Sequence, residues 1–156
     1  MTEVERFIRF PAGLFTPTIF SILFAHEIAR AKRYSFPISL LILSIISPKP
    51  FSQEEYDEIE IEVAKILNSR LRKSDVPSRN GDEFLILLPN TDEAGLNIVQ
   101  RRLFEILPSR IVDSHGKVLE LSFNIRSASH PGGPTITAEI LQQQAVLILE
   151  NHVYEE

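Results

Sequence analysis

Apolar positions along the chain fall into blocks of helical and strand spacing. Phe20, Leu23, Phe24, Ile28 and Ala31 recur at helical intervals after Thr16-Pro17. A threonine N-cap followed by proline at the first helical position opens a helix well, because the N–H that proline lacks has no partner there anyway. The spacing predicts a helix ending near Tyr34, before Pro37. Ile38–Ile46 is almost continuously apolar, as expected of a strand buried on both faces in the middle of a sheet. Pro48 and Pro50 stop it. Ser52-x-x-Glu55 then has the form of a capping box, and Ile59, Val63, Ile66 and Leu67 make a second helical stripe running to about Leu71.

Two short strands, Val76 to Arg79 and Phe84 to Leu88, flank the turn dipeptide Asn80-Gly81 and predict a hairpin, closed by Pro89-Asn90-Thr91. Leu96, Val99, Leu103 and Ile106 form a third helical stripe, ended by Pro108. Ile111-Val112 and Leu119 to Ser129 flank Ser114-His115-Gly116-Lys117 and predict a second hairpin. Thr137 is placed to cap a last helix with Leu141, Ala145, Ile148 and Leu149 on its apolar face. This order predicts an α/β or α+β sandwich with a mixed, mostly antiparallel sheet flanked by helices. Leu41, Leu43, Ile86 and Leu88 are its expected core.

The chain has 156 residues, with 16 Lys+Arg against 21 Asp+Glu, a net charge of −5. That length suits one domain spanning 1–156, with 1–15 as a lead-in segment. The acidic balance argues against nucleic acid or an anionic membrane as partner, since both need a basic face. There are no cysteines, which removes disulfides, a thiol nucleophile and Cys-ligated metals. No apolar run approaches the ~20 residues of a membrane span. Glu3 and Glu5 stand where a signal peptide would be apolar or basic, so a cytoplasmic location is expected. Phe7, Ile8, Phe10 and Phe15 make the lead-in apolar, either as a cover for the core edge or as a dimer contact.

Arg79-Asn80-Gly81-Asp82-Glu83-Phe84 resembles the motif of GGDEF domains, the diguanylate cyclase family. The flanks agree. Residues 27–34 resemble the family's first-helix ending, Pro37 to Leu43 its first strand, Arg72-Lys73-Ser74-Asp75 its RxxD stretch, and Phe84 to Pro89 the strand after the motif. The resemblance runs from about Gly13 to Glu150. It implies a five-stranded, nucleotidyl-cyclase-like sheet wrapped by helices. It also implies chemistry in which two monomers join two GTP molecules into cyclic di-GMP, with carboxylates holding divalent metal over the triphosphate.

The sequence departs from that pattern at the chemistry. The family's metal-binding aspartate after the buried strand is Ser44 here, a neutral group where Mg2+ prefers anionic oxygen. The loop Ser47-Pro48-Lys49-Pro50-Phe51-Ser52 lacks the family's base-binding Asn and Gly-His. Asp57 aligns with a guanine-reading aspartate without its Asn partner. The motif has lost one residue and one glycine before Asp82-Glu83. Near the C-terminus Val146, Glu150 and Val153 replace the family's Asp, Tyr and phosphate-binding Lys.

The expected function is therefore a catalytically inactive regulatory or protein-interaction module, with Asn80, Gly81, Asp82, Glu83 and Phe84 as a vestigial motif and no metal or cofactor. The alternative is an active cyclase, which would need Mg2+. The RxxD stretch corresponds to the family's inhibitory product site, so Arg72 and Asp75, with Arg102 beside Arg101 on the following helix, are candidates for binding cyclic di-GMP. A forked guanidinium suits both guanine acceptors and phosphate. As purely structural residues, Arg72 and Asp75 would cap a helix end and Arg102 would lie on a solvated face. Other protein domains, a second copy of the chain and cyclic di-GMP are the expected partners. His26, His115, His130 and His152 show no metal-ligand spacing, and Gly132-Gly133 between two prolines is a turn.

Overall fold

The computed structural model describes the backbone of residues 2–151 and the side chains of residues 2–145. Elements follow in the order α1 (Glu3–Ile8), α2 (Pro17–Tyr34), β1 (Ile38–Ile46), α3 (Gln53–Arg70), β2 (Val76–Asn80), β3 (Glu83–Pro89), α4 (Glu93–Ile106), β4 (Arg110–Val112), β5 (Val118–Glu120), β6 (Ser122–His130) and α5 (Ala138–Asn151). The main sheet has the order β2-β3-β1-β6 and every pairing in it is antiparallel. The continuously apolar β1 sits inside the sheet, between β3 and β6.

Alternation along β1 divides the core in two. Leu41, Leu43 and Ile45 face a cluster with Ile59, Val63 and Leu67 of α3 and Leu96 and Leu103 of α4. Ile38, Leu40 and Ile42 face Phe20 and Phe24 of α2 and Leu141 and Ala145 of α5. A strand sandwiched in this way has no solvent face, which is why its sequence does not alternate. Leu41, Leu43, Ile86 and Leu88 are fully buried, as expected.

The main sheet has four strands among the described residues rather than the expected five. Leu119 to Ser129 is not one hairpin arm. It breaks at Leu121, whose N–H donates to the Ser109 carbonyl. The first part pairs with β4 as a separate two-stranded ribbon, and the second pairs with β1 across nine residues. Ser52 and Glu55 form the expected capping box, and Thr137 Oγ1 accepts from Ile140 N. Thr16 occupies an N-cap but makes no side-chain cap bond; its hydroxyl donates to the Phe7 carbonyl at 2.7 Å. Phe15 bridges to Ser78 on the edge strand β2, so the lead-in covers that edge, whereas Phe7 is exposed. Ile148 and Leu149 lie outside the described side chains.

Candidate functional site

The acidic motif caps the β2–β3 hairpin. Asn80 pairs with Glu83, so the ladder runs one residue further than the sequence pattern predicts and the turn proper is Gly81-Asp82. Gly81 has φ +65°. Glycine at the first of two turn residues matches the right-handed twist of the flanking strands. The Ile45 N–H donates to the Asp82 carbonyl at 3.1 Å, tying the turn to the end of β1. Phe84 is wholly buried and anchors the hairpin, while Asp82 is exposed.

The register sets Ser44 opposite Glu83 on one side and Asn124 on the other. Ser44 Oγ donates to Glu83 Oε2 at 3.0 Å. Arg126, two residues beyond Asn124 on the same face of β6, bonds the same Glu83 oxygen through Nη2 and lies 3.4 Å from Ser44 Oγ. An internal guanidinium thus neutralises the carboxylate. The arginine Nε is buried without a hydrogen-bond partner among the described residues.

These residues do not fit a divalent cation. Ser44 adds no charge, Glu83 is already paired, and a fixed positive charge between them repels Mg2+. Among the described residues no group of three or more His, Asp or Glu side chains gathers where a metal could bind.

On the other side of the turn, Arg79 is nearly buried. It donates from Nε to the Gly81 carbonyl at 3.0 Å and from Nη1 to Asp57 Oδ1 at 3.0 Å, and pairs with Glu60 Oε1. Gln53 Nε2 also donates to Asp57 Oδ1, at 3.0 Å. The aspartate aligned with guanine recognition is therefore engaged within the protein. Glu60 is buried on α3, one turn from Val63 and Ala64. Burial pushes its carboxyl above the usual range, against the opposing pull of Arg79.

The structure joins Arg72 and Asp75 directly. Asp75 Oδ2 accepts from the Arg72 backbone N–H at 2.8 Å and Oδ1 from Arg72 Nη2 at 3.0 Å. The same Nη2 donates to the Pro89 carbonyl at 2.8 Å and to Thr91 Oγ1 at 2.7 Å, joining the end of α3 to the β3–α4 turn. Arg72 remains 53% exposed while Asp75 is buried. Arg101 and Arg102 are exposed on α4, and Arg102 makes no hydrogen bond or ion pair with Arg72 or Asp75.

The chain matches the family described as "Diguanylate cyclase, GGDEF domain" over residues 13–151. It belongs to the GGDEF family. Among curated proteins it is 31% identical over 126 residues to diguanylate cyclase DosC of Escherichia coli, covering 77% of this chain but 26% of that protein. This GGDEF chain thus spans about a quarter of the relatives it matches. Its fold is shared with diguanylate cyclase SiaD of Pseudomonas aeruginosa, solved in complex with its activator SiaC. That match has a TM-score of 0.74 and 22% identity, over 92% of this chain and 57% of that one. It is shared too with the GGDEF domain of DgcB from Caulobacter crescentus, solved in complex with c-di-GMP, with a TM-score of 0.77 and 14% identity over 97% and 89% of the two chains.

Two residues of this GGDEF site escaped the sequence reading. Arg126 sits in a strand of alternating burial, where a lone arginine reads as solvated. Glu60 carried a signal, because it falls at helical spacing with Val63, Ala64 and Leu67 and so on the buried stripe. Ser44 is half-buried and hydrogen-bonded. Of the histidines, His26 and His115 are exposed, His130 accepts from Gly132 N at 2.9 Å, and His152 lies outside the described residues. The side chains of Val146 and Glu150, and Val153, also lie outside them. Among the described residues no helix is long and apolar enough to cross a membrane.

Proposed function

We propose that this GGDEF domain is a catalytically inactive regulatory or protein-interaction module. The observation that supports it most strongly is Arg126 bonded to Glu83 across Ser44. The family's phosphoryl transfer needs carboxylates free to hold divalent metal over the triphosphate. Here the carboxylate's charge is met by the fold itself. The alternative, a cyclase making cyclic di-GMP from two GTP molecules, is tested directly. Purified protein is incubated with GTP and Mg2+ or Mn2+, and products are separated by chromatography. No cyclic di-GMP is expected; turnover that disappears in Glu83→Gln would establish the enzyme instead.

A second role fits the same domain: binding cyclic di-GMP through Arg72, Asp75 and Arg102. The favouring observation is that the half-exposed Arg72 side chain bonds through Nη2 and its other side-chain nitrogens have no partner among the described residues. Such recognition is charge-assisted, so truncating a contributing arginine should cost about 1.5–3 kcal/mol, roughly ten- to a hundredfold in affinity. Arg72→Ala also removes a structural tie, so Arg102→Ala is the cleaner variant. Isothermal titration with cyclic di-GMP decides it. No heat at high-micromolar ligand, or equal binding by wild type and both variants, leaves the protein-interaction role alone. In that role a protein partner or a second copy of the chain is the bound species.

A further inference from the structure

A groove of about 470 Å³ beside the hairpin turn holds a charge that the fold does not balance. The apolar residues lining it include Phe10, Pro11 and Ile61, and its charged residues are Asp57, Glu60 and Arg79. Two carboxyl groups face one guanidinium, a net charge of −1 when both are ionised. Glu60 is 5% exposed at its side chain. Its Oε1 is paired with Arg79, but its Oε2 is buried with no hydrogen-bond partner among the described residues. A buried carboxylate oxygen without a donor is costly, and the cost is relieved by a donor brought from outside.

The chemistry of the lining narrows that donor. A neutral donor would satisfy the lone pair and leave the charge. A compact ammonium would balance the charge but offer little surface to the apolar residues beside it. A guanidinium presents several N–H groups in one plane, pairs with carboxylates through parallel bonds, and is more weakly hydrated, so it enters a partly enclosed site more readily. Its alkyl stem matches the apolar side of the groove.

We propose that this groove is a docking pocket for an arginine side chain of a partner protein, with the guanidinium bonding Glu60 and Asp57 and the stem lying against Phe10, Pro11 and Ile61. The proposal goes beyond the reading of the Ser44–Glu83–Arg126 cluster and does not depend on it.

The test is a titration of the isotope-labelled full chain followed by amide NMR shifts. The ligand is acetyl-leucyl-arginine amide, and the control is the same peptide with citrulline, the uncharged isostere of arginine. The arginine peptide should give saturable shifts around Ala12, Asp57, Ile61 and Gly81, and the citrulline peptide should bind at least about tenfold more weakly, one charge-assisted bond's worth. Glu60→Gln should weaken binding comparably. If Glu60→Gln does not fold, Ile61→Lys serves, since Ile61 is 43% exposed and a lysine there places a competing cation at the groove. Equal binding of both peptides, shifts that never saturate, or undiminished binding by the folded variants would overturn the proposal. Butylguanidinium binding as tightly as the peptide would assign the groove to a free small cation. Displacement of the peptide by GTP would assign it to nucleotide.

Discussion

Replacing Arg126 by methionine tests whether its guanidinium is an integral part of the site. The side chain is 12% exposed and Glu83 is 35% exposed. Removing one partner of a fully buried pair costs about 3–5 kcal/mol, and exposed pairs contribute under ~1 kcal/mol. Water can reach Glu83, so the loss falls near the lower end of the first range, at about 3 kcal/mol. Methionine also eliminates the unpartnered buried Nε, returning about 1 kcal/mol. The net loss is about 2 kcal/mol, or a fall in Tm of roughly 4–8 °C for a domain of this size. Urea denaturation of Arg126→Met, Glu83→Gln and the double variant gives the pair's coupling energy, expected at about 1–2 kcal/mol. Arg126→Met within ~0.5 kcal/mol of wild type, or a coupling energy near zero, would refute the reasoning.

Four further outcomes follow from the geometry. Because burial raises the folded-state pKa of Glu60, its stability contribution is fully present below the unfolded value and is lost as pH rises through the folded one. Wild type minus Glu60→Gln, followed by thermal unfolding from pH 4 to 8, should therefore decline with increasing pH, and a rising difference would contradict the burial argument. Gly132→Ala should unfold the protein or cost more than ~3 kcal/mol, since a Cβ there would lie 2.0 Å from the Phe36 carbonyl oxygen at φ +83°. Gly81→Ala, with nothing within 4 Å, should cost only about 1 kcal/mol for its left-handed backbone, as compared by chemical denaturation. Ser52→Ala removes half of a capping box and should cost about 1 kcal/mol by the same measurement.

Where a residue's role is decided by its near neighbours in sequence, the sequence revealed it. The nearly unbroken apolar run of β1 marks a strand buried on both sides, so β1 and its central place were legible, as was the capping box at Ser52. The motif with its flanks identified the family. Pairing across the chain was less legible. Nothing local says that Leu121 turns away to meet Ser109, dividing the expected arm between two sheets. Thr16 had a cap's sequence, yet the lead-in brought the Phe7 carbonyl within reach and took its hydroxyl. Arg126 and Glu83 are 43 residues apart, so the loss of a carboxylate at Ser44 was visible while the cation that accompanies it was not. Asp57 was noticed for a base-reading alignment, but its engagement by Arg79 depends on how α3 packs against the hairpin.

Titrating the preformed Mn2+ complex of a nonhydrolysable GTP analogue into the purified domain tests the central claim most directly, because it asks whether Ser44, Glu83 and Arg126 leave room for the metal. The account predicts no stoichiometric heat from wild type, and a measurable site once Ser44→Asp and Arg126→Ser are combined. Stoichiometric Mn2+ binding by wild type, abolished in Glu83→Gln, would contradict it.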